Sequence, residues 1–175
     1  MKNIGWLERT ELLIKEEGLK NLMNANVLVV GLGGVGSFAA EFMARAGIGK
    51  MTIVDGDEGD ATNINRQLIA LTTTVGQSKC DLMAERIHQI NPEIDLTVVN
   101  EFLNPDRMEE VVKGGFDYVL DCIDSIRPKV TLIKVCTRNK IKIVSSMGAG
   151  GKVDPTKLAV SDINKTHNCK MARYV

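Results

Sequence analysis

The stretch from residue 27 to residue 37 reads Val27-Leu28-Val29-Val30-Gly31-Leu32-Gly33-Gly34-Val35-Gly36-Ser37 and decides the fold. Its first four residues form a continuous apolar run, which predicts a short buried strand. The residues after the glycines, up to Ala46, have the apolar spacing of a helix. A GxGxxG pattern between a strand and a helix is typical of nucleotide-binding turns, because glycines allow a tight turn and a close approach of the backbone to phosphate. We therefore predict a nucleotide site that includes Gly31, Gly33, Gly34 and Gly36.

The rest of the chain alternates short apolar runs with helical patterns. Strands are predicted at Val27–Val30, Met51–Asp55, Ile94–Val99, Tyr118–Asp121 and Ile141–Ser145. Helices are predicted at Leu7–Leu22, Val35–Ala46, Ser78–Ile90, Pro105–Val112 and Arg127–Arg138. This alternation, with strands that are apolar on both faces, predicts an α/β fold: a Rossmann-like, doubly wound, mainly parallel sheet with a preceding N-terminal helix. A last run, Leu158–Ile163, is a candidate for a sixth strand.

Length and composition predict one domain over residues 1–175. The chain has 175 residues, of which 44% are hydrophobic, and it carries 22 basic and 22 acidic side chains. A balanced charge gives no reason to expect nonspecific binding to nucleic acid or membranes. The apolar runs are strand-length and the N-terminus lacks a signal-peptide pattern, so we expect a cytoplasmic protein with no membrane segment. The polar tail stops at Val175 without a helix cap, which indicates part of a slightly longer chain.

Four cysteines are far apart in the sequence and form no CxxC pair: Cys80, Cys122, Cys136 and Cys169. Three of them fall inside apolar elements, which is typical of buried, reduced thiols. We therefore expect no disulfide and no zinc site in this segment.

An acidic residue follows the second predicted strand at the position that a nucleotide requires. Asp55 comes nineteen residues after Gly36. In Rossmann folds an acid at this distance accepts the ribose hydroxyls. The loop from Gly56 to Gly76 is long for an α/β connection, and such loops are usually functional or mobile.

The presence of cationic side chains indicates whether the site binds a triphosphate or a nicotinamide dinucleotide. A helix N-terminus can hold a pyrophosphate, whereas a triphosphate carries nearly twice the charge and requires cations and a metal. Arg66 follows the ribose-binding acid, and Lys79 comes directly after the predicted N-cap Ser78. A cation in the first turn of a helix opposes the helix dipole unless an anion is bound nearby. We therefore predict ATP, with an NAD-dependent dehydrogenase or sensor as the alternative.

The fourth strand ends in Leu120-Asp121-Cys122-Ile123-Asp124-Ser125. Ligands of open α/β sheets bind beyond the carboxyl ends of the strands, so Asp124 can face the phosphates and hold Mg²⁺ or its waters. A role of Asp124 as the cap of the next helix is equally compatible with the sequence. Asp121 is interpreted as shaping the turn.

Together these segments resemble the superfamily of ubiquitin-activating enzymes (E1), ThiF, MoeB and HesA. The matching segments are residues 31–36, Asp55-Gly56-Asp57, Thr62-Asn63-Ile64-Asn65-Arg66-Gln67, Gly76-Gln77-Ser78-Lys79 and residues 121–124. The resemblance implies ATP-dependent adenylation of a carboxylate by a homodimer. It implies that Asp55, Asp57, Asn63 and Gln67 belong to the nucleotide site, that Arg66 and Lys79 contact the triphosphate, that Asp124 is tied to Mg²⁺, and that Arg9 reaches the ATP of the partner subunit.

Three further segments are similar to the tRNA threonylcarbamoyladenosine dehydratase branch of this superfamily: residues 85–93, 124–129 and 148–156. That branch closes a modified nucleoside of tRNA into a ring with net loss of water, so modified tRNA is the expected substrate. The alternative substrate is the Gly-Gly terminus of a ubiquitin-like sulfur carrier. Cys169 is the one candidate for a catalytic cysteine, and a tail cysteine without a placed base is usually inert.

Six basic residues can form a local patch for tRNA: Arg127, Lys129, Lys134, Arg138, Lys140 and Lys142. A solvated helix face explains them equally well. His88 and His167 have no partner pattern, and no role is predicted for them.

Overall fold

The computed structural model describes residues 5–175 and contains a five-stranded parallel sheet. The strands are β1 (Asn26–Val30), β2 (Lys50–Val54), β3 (Asp95–Val99), β4 (Tyr118–Asp121) and β5 (Lys142–Ser145). Their order across the sheet is β3-β2-β1-β4-β5, and every neighbouring pair is parallel. The order reverses between β1 and β4, and such a switch point is where open α/β sheets bind ligands.

Helices cover both faces of the sheet, as expected for strands that are buried on both sides. They are α1 (Glu8–Asn24), α2 (Gly36–Arg45), α3 (Lys79–Ile90), α4 (Pro105–Val112) and α5 (Ile126–Arg138). One core cluster joins the sheet to α2 and α3 around Leu32, Met83 and Ile87, and the other joins it to α4 and α5 around Met108 and Leu132. The α/β prediction is therefore confirmed, with element ends within one or two residues of those predicted.

Local sequence signals set the helix starts. The Ser78 hydroxyl accepts a hydrogen bond from the Asp81 N–H at 3.2 Å, so Ser78 is the N-cap of α3 as predicted. Asn104 caps α4 in the same way and precedes a proline in the first turn. α1 contains a break at Lys15, whose φ is 65°, so its apolar residues do not form one straight helical stripe.

The sixth strand predicted at Leu158–Ile163 is wrong. This segment pairs with no strand, and Val160 is 99% exposed. Short 3₁₀ turns stand at Pro155–Lys157 and Ile163–Lys165 instead. Each turn is preceded by an aspartate whose side chain accepts a hydrogen bond from the backbone N–H two residues later, and such local bonds compete with strand pairing.

None of the helices within residues 5–175 is both long and apolar enough to cross a membrane.

Candidate functional site

The glycine-rich turn joins β1 to α2 at the carboxyl edge of the sheet, the edge at which the parallel strands end. Gly31 has a φ of +91°, which disfavours any L side chain. A Cβ atom on Gly36 would lie 1.6 Å from the carbonyl oxygen of Gly31, so only glycine fits there. The Ser37 hydroxyl closes the turn by donating to the Gly33 carbonyl at 2.7 Å. The first N–H groups of α2 therefore face the space above the strand ends, where they can receive an anion.

Asp55 connects two loops at this edge. Its Oδ2 accepts a hydrogen bond from the Leu32 N–H at 2.6 Å, and its Oδ1 accepts one from the Asp57 N–H at 2.8 Å. A carboxylate has about four acceptor positions, so both oxygens keep capacity for ribose hydroxyls. Asp55 thus lies at the predicted place and also holds the glycine-rich turn against β2.

Lys79 is 5% exposed and forms an ion pair with Asp57, with 3.0 Å between Nζ and Oδ2. The Asp57 side chain remains 53% exposed. The Asp57 carboxylate therefore offsets the unfavourable interaction between the Lys79 ammonium and the helix dipole. From the sequence, a bound phosphate alone was expected to provide that negative charge. The pair lies beside Asp55, because the Asp57 N–H donates to Asp55 and Cys80, next to Lys79, donates to the Asp55 carbonyl.

Arg66 and Gln67 lie against the glycine-rich turn. A Cβ on Gly34 would lie 3.4 Å from Cγ of Arg66. The exposed guanidinium donates to the Thr62 carbonyl at 2.9 Å and to the Asn65 side-chain oxygen at 3.0 Å. Gln67 is 8% exposed, and its Oε1 is buried without a hydrogen-bond partner within the described residues. Buried polar atoms are rarely left unsatisfied, so this atom marks the turn as incomplete without a ligand or water.

Asn63 supports the loop that carries Arg66. Its side-chain oxygen accepts from the Asp60 N–H at 3.3 Å, and Asp60 in turn accepts from the Thr62 N–H at 2.8 Å. This reciprocal capping box forms the short turn Ala61–Asn63. In this geometry Asn63 positions the loop that carries Arg66.

Asp124 lies exposed in the loop between β4 and α5. That loop adjoins the glycine-rich turn, because a Cβ on Gly31 would come within 2.9 Å of the Cys122 carbonyl oxygen. The N-cap of α5 is Ser125, and within the described residues the hydrogen bond found for the Asp124 carboxylate is from the Ser125 hydroxyl, at 3.3 Å. A capping role therefore does not occupy the Asp124 carboxylate, which leaves it available at the carboxyl edge.

Lys129 was predicted to be a surface cation, and that prediction is wrong. Lys129 and Asp121 are both 0% exposed, and their charged groups are 2.7 Å apart. Lys129 also donates to the Ser146 carbonyl at 2.9 Å, and the Ser145 hydroxyl donates to Asp121. Asp121 does shape the turn, by accepting from the Ile123 N–H at 3.1 Å. The signal was present in α5, since Lys129 shares the helical spacing of Leu132 and Cys136 on the buried face.

Phe102 is a second residue that sequence reasoning missed. It follows β3 and is 72% exposed. A Cβ on Gly56 would lie 2.6 Å from the Phe102 nitrogen and 2.7 Å from Cδ2 of its ring. The ring therefore lies against the backbone directly after Asp55.

Arg9 does not join this cluster. Arg9 is exposed near the start of α1, two residues after Leu7. A Cβ on Gly47 would lie 2.6 Å from Leu7 Cδ1, so this segment packs at the far end of α2 from the glycine-rich turn. The ten residues of α2 rise by about 15 Å.

All four cysteines are free thiols. Burial raises the pKa of Cys80 and Cys122 to about 12 and that of Cys136 to about 11. The pKa of Cys169 is lowered, mainly because the sulfur accepts the backbone N–H of Ala172. The turn that holds Cys169 packs against Gly148, just after β5.

Cys169 is therefore expected to react with iodoacetamide at pH 8 faster than Cys80 in the folded protein, since its pKa is lower and it is 7% exposed where Cys80 is 0% exposed. A thiol with a pKa of about 12 is thiolate in only about one molecule in 10⁴ at pH 8, and the thiolate is the nucleophile. Because the pKa of Cys169 is lowered, its rate should stop rising with pH sooner than that of an ordinary thiol. Peptide mass spectrometry after timed alkylation measures both rates, and equal labelling of Cys80 and Cys169 would contradict this order.

Comparison with known proteins identifies relatives of this chain. The sequence model of the ThiF family matches residues 7–173. The tRNA threonylcarbamoyladenosine dehydratase of Escherichia coli is 49% identical over 164 residues, which are 92% of this chain and 61% of that protein. The enzyme of the same name from Bacillus subtilis is 48% identical over 167 residues, 95% of this chain and 66% of that protein.

A solved structure agrees with these relatives. The crystal structure of the E. coli dehydratase in complex with ATP superposes with a TM-score of 0.94 at 47% identity, covering 97% of this chain and 70% of that one. The chain spans about two thirds or less of the length of the two curated relatives. Since the family match extends over nearly the whole chain and the fold agrees, this chain belongs to the ThiF family.

Proposed function

We propose that residues 1–175 act as one ATP-binding domain that adenylates a carboxylate. The observation that carries the proposal is the convergence of a glycine-rich turn, the Asp55 carboxylate, a buried cation at Lys79 and the free carboxylate of Asp124 at one edge of the sheet. The buried Oε1 of Gln67, which lacks a partner within the described residues, is an acceptor that a ligand or a water can satisfy at the same place. The relative of known structure was solved with ATP.

Each residue has a distinct task in this reaction. The N–H groups at the start of α2 receive phosphate oxygens, and Asp55 accepts the ribose hydroxyls. Attack of a substrate carboxylate on the α-phosphate forms an acyl adenylate and releases pyrophosphate, so negative charge develops on both groups. Arg66 and Lys79 stabilise that charge, since catalysis of this kind depends on placement and electrostatics. A general base is unnecessary because a carboxylate is already ionised near neutral pH.

The residues present fit a magnesium ion that is bound mainly through ATP. Mg²⁺ is commonly held by one or two carboxylates together with substrate phosphates and waters. Asp124 offers one such carboxylate, and no group of three metal-binding side chains occurs within residues 5–175. When bound, the ion would neutralise phosphate charge; Asp124 is the residue of this chain that would orient it.

The proposed substrate is the threonylcarbamoyl-modified nucleoside of tRNA. Two relatives that are nearly half identical to this chain bear the name of that dehydratase. The carboxylate of the modification would become the acyl adenylate, and attack from within the same side chain would then close the ring and release AMP. Five of the six basic residues of the predicted patch are exposed, all except Lys129, and Arg138 pairs with Glu109 at 3.4 Å.

We further propose a cytoplasmic homodimer in which Arg9 enters the site of the partner. Arg9 lies away from the nucleotide site of its own chain. Helices α1 and α2 also leave apolar side chains exposed. Phe38 is 40% exposed and Phe42 is 60% exposed, while Leu12 and Leu13 of α1 are 71% and 81% exposed. Apolar side chains that are this exposed and this close in sequence are typical of an interface.

A complementation experiment tests the placement of Arg9. Arg9→Ala and Asp124→Ala proteins should each lose most of their activity alone. If Arg9 acts across the dimer, a mixed dimer keeps one complete site, and an equal mixture should recover about one quarter of normal activity. No recovery after subunit exchange would place Arg9 in its own subunit's site or outside catalysis.

The base of ATP is proposed to stack on Phe102. Phe102→Ala should raise the Kd for ATP about tenfold, since stacking of a base on an aromatic ring contributes about 1–3 kcal/mol. Phe102→Tyr should retain affinity because the ring remains. Tyr118→Ala is the matched control, since Tyr118 is 43% exposed at the opposite edge of the sheet. Isothermal titration gives the three constants, and an unchanged Kd in Phe102→Ala would remove Phe102 from the site.

The decisive experiment uses the full-length protein with ATP, Mg²⁺ and threonylcarbamoyl-modified tRNA. Mass spectrometry of the digested tRNA should show ATP-dependent loss of one water from that nucleoside, reduced at least tenfold in Asp124→Ala. Unchanged tRNA together with pyrophosphate exchange on a Gly-Gly-tailed carrier protein would favour the sulfur-carrier alternative. Binding of NAD without binding of ATP would overturn the adenylation proposal itself.

A further inference from the structure

A hollow on the far side of the molecule is not used by the proposed reaction. It has a volume of about 560 Å³ and is lined by Trp6, Arg45, Arg86, Gln89 and Ile90. Arg45 ends α2, and the other helical residues belong to the last turns of α3. Because α2 begins at the glycine-rich turn, the hollow lies at the amino edge of the sheet, about 15 Å along α2 from the nucleotide site.

A buried carboxylate orients both arginines of the hollow. Glu41 is 7% exposed, and it accepts hydrogen bonds from Nε of Arg45, at 2.8 Å, and from Nε of Arg86. The hydrogen bond from Arg86 is the main reason that the pKa of Glu41 is lowered, so the carboxylate is charged at neutral pH. Two cations and one anion leave a net positive charge.

The terminal nitrogens of these guanidinium groups remain available. Both ion pairs use Nε, and within the described part of the chain no further partner is found for the remaining nitrogens of Arg45 or Arg86. Their side chains are 52% and 40% exposed. A guanidinium held at Nε by a carboxylate presents its other donors in a fixed orientation, which suits the oxygens of a phosphate.

The ring of Trp6 adds an aromatic surface to the hollow. Trp6 lies on the wall of the same hollow and is 46% exposed. An inorganic anion would need the arginines but no aromatic surface, and an apolar ligand would not need the arginines. An unpaired nucleotide needs both, since its base stacks on an aromatic ring and its phosphate accepts from arginine.

We propose that this hollow binds one unpaired nucleotide of an RNA substrate, outside the catalytic site. The inference rests on the proposed function, in which the substrate is tRNA. Arg9, proposed to enter the partner's site, follows Trp6 by three residues. In the homodimer the hollow of one subunit would therefore lie beside the catalytic site of the other and hold RNA that is bound there.

Intrinsic fluorescence tests the proposal directly, because Trp6 is the single tryptophan within residues 1–175, and a Trp6→Phe protein gives the signal of any tryptophan outside them. A seven-nucleotide single-stranded RNA, added to the full-length protein without ATP, should quench Trp6 saturably, and the affinity should fall as salt is raised. Arg45→Gln should weaken RNA binding about tenfold. Arg86→Lys keeps the charge and the pairing with Glu41 but loses the planar fork, so it should weaken binding as well.

Lys20→Gln is the matched control, since Lys20 is an exposed cation that pairs with Glu16 but has no aromatic neighbour in the hollow. It should change RNA affinity less than twofold. Thermal unfolding shows whether each variant is still folded. In Arg45→Gln the Glu41 carboxylate keeps Arg86 as its ion-pair partner. Equal RNA affinity in Arg45→Gln and Lys20→Gln, or no quenching of Trp6 by bound RNA, would overturn the proposal.

The dehydration assay separates this inference from the proposed function. If modified tRNA loses water normally and Arg45→Gln leaves the KM for tRNA unchanged, the hollow is not an RNA site although the function holds. If RNA quenches Trp6 in an Arg45-dependent way but modified tRNA is never altered, the hollow binds RNA and the dehydratase proposal fails. A higher KM for tRNA at unchanged kcat and unchanged Kd for ATP supports both.

Discussion

Lys79→Met is expected to lower kcat/KM of the ATP-dependent reaction by about 10²–10³-fold, the range observed when one preorganised charge stabiliser is removed. Lys79 is 5% exposed, and its ammonium pairs with Asp57 at the start of α3. It therefore reaches the developing charge of the leaving pyrophosphate without reorganisation in water. Steady-state kinetics with threonylcarbamoyl-modified tRNA gives the ratio.

A loss of folding stability does not explain the expected loss of activity in Lys79→Met. Asp57 is half exposed, so water can solvate its carboxylate when the lysine is absent, and the unfolding free energy should fall by only about 1 kcal/mol. Asp57→Asn provides the control, because it removes the same ion pair and keeps the cation. Its activity should fall much less than that of Lys79→Met. Equal losses in the two variants would mean that Lys79 acts only as the partner of Asp57.

Lys129→Met is expected to lower the free energy of unfolding by about 3–5 kcal/mol, the cost of leaving a buried charge without its partner. Asp121 is 0% exposed, and the chain offers it no other cation within the described residues. The Lys129 ammonium also donates to the Ser146 carbonyl, so the substitution removes that hydrogen bond as well. Urea unfolding at pH 7 measures the change.

A double variant separates the unpaired charge from the lost side chain. Asp121→Asn combined with Lys129→Met removes both charges and should recover a large part of the lost stability, since a buried ion pair itself contributes little net stability. Lys134→Met is the control for the substitution, because Lys134 is exposed on the same helix and should change stability by about 0.5 kcal/mol or less. A loss below about 1 kcal/mol in Lys129→Met would show that water reaches Asp121.

Most of the fold could be predicted from the sequence because its signals are local. The apolar runs that became β1 and β4 begin and end where predicted to within a residue, and α4 matches its predicted bounds. At Ser78 an N-cap hydroxyl sets the local backbone conformation, and in the glycine-rich turn the absence of Cβ atoms does so. Neither effect requires a residue that is distant in the sequence.

Predictions that required knowledge of neighbours were less reliable. Leu158–Ile163 has the composition of a strand, but whether a run becomes a strand depends on a sheet edge to pair with. Lys129 was assigned to the surface because lysine is usually exposed, and its burial depends on Asp121 from another element. Phe102 was overlooked because its position over Gly56 exists only once β2 and β3 are paired.

The sequence by itself determined the order of the elements, the glycine-rich turn and the residue types of the site, since periodicity and turn chemistry act over a few neighbouring residues. Only the tertiary structure decided which charges meet: Lys79 with Asp57, Lys129 with Asp121, and Glu41 with Arg86. The partners in these pairs are between 8 and 45 residues apart in sequence. Their contact depends on how helices and strands pack, and burial then decides whether a charge must be paired or can remain solvated.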